Sequence, residues 1–595
     1  MNQEAGMDRA ELVHKAQEYV SLEQHEDFRT EVEKLLAQEQ FEELHERFYA
    51  ELSFGTGGIR GIMGGGYNRM NPLMIQRATE GLARYVVEHG TEDKAGRKSV
   101  AIAYDSRNNS PLFAKTAASV LAAHGIHVYL FSALRPTPEL SFAVRYLGAT
   151  SGIVCTASHN PKQYNGFKVY WADGAQIVEP HDAGIIENVR SVRGDIKSMD
   201  YEAALSQGLI ELVDEQLDAA YLDMVDGQII RPELLRNKGK DLSVVFTPLH
   251  GTGAYLVERA LKRYGVPVIT VPEQREPNGD FPTVQYPNPE EASALKMAID
   301  LAKKESADLV IGTDPDADRV GLAVRNGGEY TLLSGNQHGV LLADYIFSGR
   351  KAEGSLPGDS AFVNTIVTTD LQRKVAKKYG AKVFETLTGF KWIASKIREF
   401  EQTKGPRYVF GCEESYGFMI GDQVRDKDSV SATILTIEMT LYHKTQGKNL
   451  LERLEEIYQE FGYYQETLVA RYFEGSNGTT IMSRLMDNLR SEPATEIAGI
   501  EVTAMRDILD GSTLDVKSGK KTADIDLPSS NVLQWILADG SIISARPSGT
   551  EPKIKFYASV AEAPGIPLAE AKLRVGAKIQ GIEGFINDQI AKVSH

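Results

Sequence analysis

At 595 residues the chain is several times longer than one compact domain usually runs, so three to five folded units are expected. Hydrophobic residues at 42% and charged residues at 25% are ordinary for a globular protein, and no apolar run approaches the roughly 20 residues of a membrane helix. The net charge of −17 argues against a nucleic-acid or anionic-membrane surface, and two cysteines, Cys155 and Cys412, exclude a disulfide framework or a thiolate zinc cluster.

The N-terminal stretch "MNQEAGMDRAELVHKAQEYV" lacks the apolar core of a signal peptide, so a cytoplasmic location is expected. Residues 8–52, rich in Glu, Leu, Ala and Gln at helical spacing, read as a helical lead-in. From "FGTGGIRG" (54–61) the pattern changes: short apolar runs such as "SVAIAYD", "HVYLFS" and "ATSGIVCTA" alternate with helix-spaced segments such as "PLFAKTAASVLAAHG". That alternation predicts βαβ units and a largely parallel sheet. The same grammar returns in 242–324 and again in 359–419, while the remainder is strand-rich with a long final helix. The expected division is a lead-in over 1–52, α/β domains over 53–215, 216–328 and 329–460, and an α+β domain over 461–595.

Four loops carry candidate chemistry. In "CTASHNPKQYNGFKVY" (155–170) a strand delivers Ser158 to its end, where open α/β sheets bind ligands, and Lys168 follows ten residues later. A cap or turn explains Ser-His-Asn-Pro equally well in isolation, and a hydrolase reading lacks its G-x-S-x-G elbow. In "GTDPDADRVG" (312–321), Asp314, Asp316 and Asp318 alternate along a turn and can converge on one cation. An EF-hand would need Gly and Glu where Arg319 and Arg325 stand, which leaves Mg²⁺ or a plain acidic turn. "GCEESYGF" (411–418) offers Glu413, Glu414 and Ser415 to sugar hydroxyls, or is a solvated acidic turn. "RPSGTEPKIKFY" (546–557) gathers Arg546, Ser548, Thr550 and Lys553 around a glycine, a basic cradle for a phosphate or a hairpin with incidental charge.

In this order "TASHNP", "DPDADR", "CEESYG" and "RPSGTEP" resemble the four active-site loops of the α-D-phosphohexomutase family, in its longer phosphoglucomutase branch that also contains phosphopentomutases. "YDSR" (104–107), "TPLHGTG" (247–253) and "PNGDFPTVQYPNPE" (277–290) look like family segments too, so the resemblance runs from residue 54 to the last helix. It implies three similar α/β mixed-sheet domains plus a C-terminal α+β domain around one central cleft. It implies a phosphoglucomutase that interconverts glucose 1-phosphate and glucose 6-phosphate, with glucose 1,6-bisphosphate as intermediate and activator. Phosphopentomutase, phosphomannomutase and glucose 1,6-bisphosphate synthase are the alternatives on this scaffold. A silent sugar-phosphate-binding protein is the rival of another class, and it would need neither Ser158 nor the acidic trio.

By the same resemblance Ser158 is the phosphoryl carrier and, with Asp314, Asp316 and Asp318, a ligand of Mg²⁺. Arg60, His159 and Lys168 surround the transferring group, and Lys427 of "VRDKDS" is a candidate for proton transfer. Arg319 stands beside the metal loop, while Thr388, Gly389 and Lys391 of "TLTGFKWI" orient the sugar together with Glu413 and Ser415. Arg546, Ser548, Gly549 and Thr550 match the distal phosphate loop. The implied partners are small sugar phosphates, with no nucleic acid and no membrane, on a monomer or homodimer. Two departures from the family pattern, Gly57 and Cys412, remove no charged or metal-binding group.

Overall fold

A computed structural model describes residues 8–55, 57–194, 196–473, 478–548 and 553–593. The chain divides into two compact units. The first comprises Met1–Ser334, Ala394–Gly405 and Ser415–Tyr442; the second comprises Gly335–Ile393, Pro406–Glu414 and His443–His595.

The first unit opens with the helical lead-in, α1 (Arg9–Leu22), α2 (Glu26–Ala37) and α3 (Phe41–Phe48). Leu12, Ala16, Tyr19, Val32, Leu44 and Phe48 bury one face of these helices against Tyr67, Leu73 and Met74 of the domain that follows. That domain holds a six-stranded sheet of β1 (Gly58–Ile62), β2 (Ser99–Tyr104), β3 (His127–Phe131), β4 (Ser151–Cys155), β5 (Tyr164–Trp171) and β6 (Ile210–Val213), in the order β1-β5-β4-β2-β3-β6. The strands β2, β3 and β4 are buried almost throughout, which is why they read as unbroken apolar runs rather than alternating ones. The helices packed here include α4 (Pro72–His89), capped by Asn71 with Pro72 in its first turn, α5 (Ser110–Ala123) and α6 (Thr137–Leu147).

The second domain has a five-stranded sheet of β7 (Val244–Thr247), β8 (Val268–Thr270), β9 (Leu309–Thr313), β10 (Val320–Asn326) and β11 (Glu329–Leu333), in the order β11-β10-β9-β7-β8. Both sheets are mixed. β2, β3, β4 and β6 run parallel, whereas β5 returns antiparallel to β4 and β10 antiparallel to β9. The connections explain this: only residues 156–163 separate β4 from β5 and only 314–319 separate β9 from β10, too few for a parallel crossover. These two short returns are the serine loop and the acidic loop.

In the second unit β12 (Ser360–Thr365) pairs in parallel with both β13 (Lys382–Thr386) and β14 (Arg407–Glu413), giving a third α/β domain. The C-terminal domain is a sheet in which Tyr463–Tyr472, Lys553–Glu562, Ile542–Pro547, Leu533–Leu537, Ile500–Asp507, Ser512–Asp515 and Lys521–Ala523 follow one another as antiparallel neighbours. The long helix Leu568–Ala591 covers it with Ala571, Val575, Ile579, Ile582 and Ile586 at spacings of three and four. Ile366, Val367 and Leu387 share a small core with Ile508, Val532 and Tyr557, joining this sheet to the third domain within the unit. Among the described residues no helix is long and apolar enough to cross a membrane.

Candidate active site

Ser158 sits three residues beyond β4 with φ at +52°, in the left-handed region that costs a non-glycine residue about 1–2 kcal/mol. Its surroundings hold it there. The Ser158 N–H donates to Thr156 Oγ1 at 2.8 Å, and the Ser158 carbonyl accepts from Arg107 Nη2 at 2.5 Å. The close return of β5 requires Gly166, where a Cβ would stand 2.5 Å from the Thr156 carbonyl oxygen. The side chain is thereby aimed at the second domain's acidic loop: Ser158 Oγ donates to Asp314 Oδ2 at 2.6 Å, and His159 Nδ1 lies 3.1 Å from Ser158 Oγ.

Asp314, Asp316 and Asp318 are buried, and each offers a carboxylate oxygen within 4.8 Å of the others'. Their loop is pinned along its backbone. Asp314 Oδ1 accepts from the N–H groups of Asp318 and Arg319 at 2.9 and 3.0 Å, and Thr252 donates to the Pro315 carbonyl through N–H and hydroxyl at 2.8 and 3.0 Å. Gly251 allows that approach, since a Cβ there would lie 2.3 Å from Pro315 Cα. Thr137, first residue of α6, donates its N–H to the Asp316 carbonyl at 2.9 Å and its hydroxyl to Asp316 Oδ2 at 2.7 Å. Ser429 donates to the Ala317 carbonyl.

Two lysines enter the same cluster. Lys168, on β5, stands 2.8 Å from Asp316 Oδ2 and 3.4 Å from Asp318 Oδ2, and Lys427 stands 3.1 Å from Asp318 Oδ2. Asp426 accepts from Lys427 Nζ at 2.9 Å and from the buried Tyr170 hydroxyl at 2.7 Å. Burial would raise Asp318, but Lys427 and Lys168 outweigh it and hold the carboxyl well below the usual range. Burial, then repulsion from Asp318 and Asp316, pushes Asp314 well above that range. Burial, then the charges of Arg319 and Arg60, keeps the His159 imidazole neutral far below its ordinary pKa.

Lys168 and Lys427 offset part of the repulsion among these three buried carboxylates, and repulsion still bears on Asp314, where a further cation would relieve it. Two of their oxygens, Asp316 Oδ1 and Asp318 Oδ1, are buried with no hydrogen-bond partner, and the donor set is all hard oxygen. These residues fit a divalent cation of the Mg²⁺ kind. Arg60 and Arg319 of this unit lie nearby. Arg60, on β1, donates to Asn160 Oδ1 of the serine loop at 3.1 Å, and Arg319 pairs with Glu290. Ser415 is half-buried just past the end of β14.

In the second unit, Glu413 is the last residue of β14, and its Oε1 accepts from the N–H of Gly389 at 2.5 Å. Gly389, at φ +114°, adopts a conformation that L side chains rarely take. Thr388 and Lys391 flank it half-buried, with Lys391 Nζ 5.1 Å from the ring centroid of Trp392. Glu414 accepts from the hydroxyls of Thr365 and Thr368 at 3.3 and 3.2 Å. Arg546, the penultimate residue of its strand, lies beside Tyr557, and the N–H of Ser548 donates to the Lys553 carbonyl at 2.7 Å. Gly549 and Thr550 lie outside the described residues. Cys412 is fully buried and donates to Gln372 Oε1 at 3.0 Å, so this departure from the family pattern faces the interior.

Sequence reasoning assigned no role to Asp105, Arg107, Thr137, Tyr170 or Asp426. The one available signal was "YDSR", whose Asp and Arg follow a strand as the serine loop does.

The chain matches family models described as phosphoglucomutase/phosphomannomutase alpha/beta/alpha domains I, II and III over residues 51–194, 219–328 and 334–461. It is 38% identical over 518 residues to a phosphoglucomutase of Staphylococcus haemolyticus, covering 86% of this chain and 91% of that one. It is 36% identical over 552 residues to a human phosphopentomutase, covering 90% and 89%. In fold it resembles the pp63/parafusin phosphoglucomutase of Paramecium, with a TM-score of 0.67 at 19% identity over 92% and 95% of the two chains. It likewise resembles a phosphoglucomutase/phosphomannomutase family protein of Burkholderia thailandensis, with a TM-score of 0.65 at 20% identity over 92% and 98%. The chain belongs to the phosphoglucomutase/phosphomannomutase family, the α-D-phosphohexomutases. It is therefore a mutase, an isomerase that relocates a phosphoryl group within its substrate.

Proposed function

We propose that this mutase interconverts glucose 1-phosphate and glucose 6-phosphate, with Ser158 as the phosphoryl carrier and glucose 1,6-bisphosphate as the intermediate. The observation that carries the reading is the 2.6 Å hydrogen bond from Ser158 Oγ into the buried acidic trio. A serine hydroxyl is a weak nucleophile, but a phosphoserine is already a donor, and phosphoryl transfer depends chiefly on in-line placement and charge neutralisation. Asp314, Asp316 and Asp318, with Ser158, would hold Mg²⁺, which when bound offsets negative charge on the transferring group.

The chain's own residues do the rest. Lys168, Arg60 and Arg319 supply positive charge around the serine loop, and the neutral His159 beside Oγ adds a polar contact without a further charge. When the sugar's free hydroxyl takes the phosphoryl group, the Oγ–P bond breaks, a new O–P bond forms, and the hydroxyl proton passes to Oγ, with Lys427 a candidate to relay it. The bisphosphate then turns over and returns its other phosphate to Ser158. Glu413, Ser415, Thr388, Gly389 and Lys391 are assigned to the sugar hydroxyls. Arg546, Ser548, Gly549 and Thr550 are assigned to the phosphate at rest.

Similarity over 90% of the chain to a phosphopentomutase favours one second reading, a pentose substrate. A coupled assay across glucose, mannose and ribose 1-phosphates decides between them. Glucose 1-phosphate should give the highest kcat/KM, and a higher value with ribose 1-phosphate overturns the hexose assignment. Mass spectrometry after incubation with glucose 1,6-bisphosphate should place one phosphate on Ser158.

A further inference from the structure

Asp105 and Arg107 follow β2 in the segment "YDSR", and neither is reached by solvent. Between them they fix both peptide groups of Ser158. Asp105 Oδ2 accepts from Thr156 Oγ1 at 2.5 Å, and that hydroxyl oxygen in turn accepts from the Ser158 N–H at 2.8 Å. Arg107 spreads its guanidinium beneath the loop: Nη2 donates to the carbonyls of Ser158 and Asn160, and Nη1 to those of Pro161 and Tyr164 at 2.9 and 3.0 Å. Asp105 Oδ1 accepts from the Arg107 N–H at 2.9 Å and from Ser110 Oγ at 2.8 Å, so the two residues orient each other. The second domain closes the far side, where the Phe281 ring centroid lies 5.0 Å from Arg107 Cζ.

A buried guanidinium shared among four carbonyls of a single loop is an unusual use of charge in a protein of net charge −17. Its chemical effect is specific. A left-handed serine is unstable unless its neighbours over-determine it, and the carbonyl oxygens of 158, 160, 161 and 164 are what Arg107 gathers. We propose that Asp105 and Arg107 are positioning residues that hold the phosphoryl carrier in line with the acceptor hydroxyl of the sugar, and thereby suppress transfer to water. The proposal rests on the reading of Ser158 as that carrier. Transfer to a bound sugar demands one alignment of Oγ, phosphorus and acceptor oxygen, and a misplacement of about 1 Å can cost on the order of a hundredfold. Water can approach from several directions and is far less sensitive. In that leak a bond forms between phosphorus and the water oxygen, the Oγ–P bond breaks, hydrogen phosphate leaves, and one water proton passes to Oγ.

The test compares Arg107→Lys and Asp105→Asn with the wild type, using glucose 1-phosphate as the probe. Measured are kcat, KM, and the number of inorganic phosphate molecules released per glucose 6-phosphate formed. That ratio is independent of how much of a variant is folded. A single ammonium cannot serve four carbonyls, so Arg107→Lys should lower kcat by about ten- to a hundredfold. KM should stay within about threefold, and the leak ratio should rise at least about tenfold. An unchanged leak ratio, with kcat reduced only as far as the folded fraction measured by circular dichroism, overturns the proposal and leaves these residues a purely structural role. Phosphopeptide mapping of the wild type separates the two levels: phosphate on a residue other than Ser158 overturns the carrier assignment itself.

Discussion

Thr137 and Asp316, 179 residues apart, are joined twice, hydroxyl to carboxylate at 2.7 Å and N–H to carbonyl at 2.9 Å. The pair places the N-terminus of α6 against the acidic loop, where the partial positive charge of a helix start favours a carboxylate. It also occupies Asp316 Oδ2 and leaves the buried Oδ1 as the oxygen without a protein partner. On the proposed reading of the trio as a Mg²⁺ site, Thr137 would act on the cation through the carboxylate. Thr137→Val keeps the shape and removes the hydroxyl. The Mg²⁺ concentration for half-maximal activity should rise by about ten- to a hundredfold, the usual cost of losing such an outer partner, with little change in KM for sugar phosphate. A titration of activity against Mg²⁺ at saturating substrate reads this directly, and an unchanged midpoint would remove Thr137 from the role.

Ser158→Ala removes the proposed phosphoryl carrier but no cationic side chain and no acidic ligand. Mutase turnover should fall below detection while glucose 6-phosphate still binds within a few-fold of the wild-type Kd by calorimetry. Retained turnover would dismiss Ser158 as carrier; lost binding would show that the change disturbed the loop instead.

Much of this architecture was legible in the residues. Buried parallel strands announce themselves as apolar runs, and the spacing of "DPDAD" brings three carboxylates to one turn whatever their surroundings. The mixed character of the sheets was less plain, because the reversals at 156–163 and 314–319 depend on loop length rather than on apolar pattern. The outer partners of the site were not legible at all. Thr137 reads as an ordinary helix start, Tyr170 as one more aromatic in a buried strand, and Asp426 as part of a charged turn. What gives them meaning is separation in sequence closed by folding: Tyr170 and the carboxylate it bonds stand 256 residues apart. Arg107 was visible only as a charge after a strand, and its four carbonyl partners belong to a loop more than fifty residues away.

Acid should weaken the second unit through His443. Its side chain is buried, and burial, then the charge of Arg453, lowers its pKa from 6.5 to about 4. An unfolded chain takes up a proton as the pH falls through 6.5, whereas the folded chain resists until about 4, so the unfolded state binds more protons across that window. Stability from this group is therefore present above pH 6.5 and is lost as the pH falls toward 4, by up to about 3 kcal/mol. Urea midpoints between pH 4.5 and 7.5 should decline more steeply in the wild type than in His443→Asn. Equal slopes would show that the histidine titrates alike in both states.

Arg546 offers the sharpest test of how the two ends of the substrate are held. It is the penultimate residue of the strand Ile542–Pro547 and lies beside Tyr557, whose hydroxyl is pushed up to about 12 by burial and by the charge of Glu414. A neutral phenol next to a guanidinium leaves the positive charge available to an anion, and Ser548 follows two residues on. If this loop holds whichever phosphate is at rest, glucose 1-phosphate and glucose 6-phosphate must each present their phosphate to it in turn. A charge-assisted arginine contact is worth about 1.5–3 kcal/mol, or roughly ten- to a hundredfold in binding. Arg546→Ala should therefore raise KM by that factor in both reaction directions, and more bisphosphate should escape before it has turned over. Steady-state kinetics run from each substrate, with and without added glucose 1,6-bisphosphate, measure both effects, and added bisphosphate should recover part of the lost rate. An increase in KM confined to one direction, with no recovery on adding bisphosphate, would mean that the two phosphates rest in different places and that this loop serves only one of them.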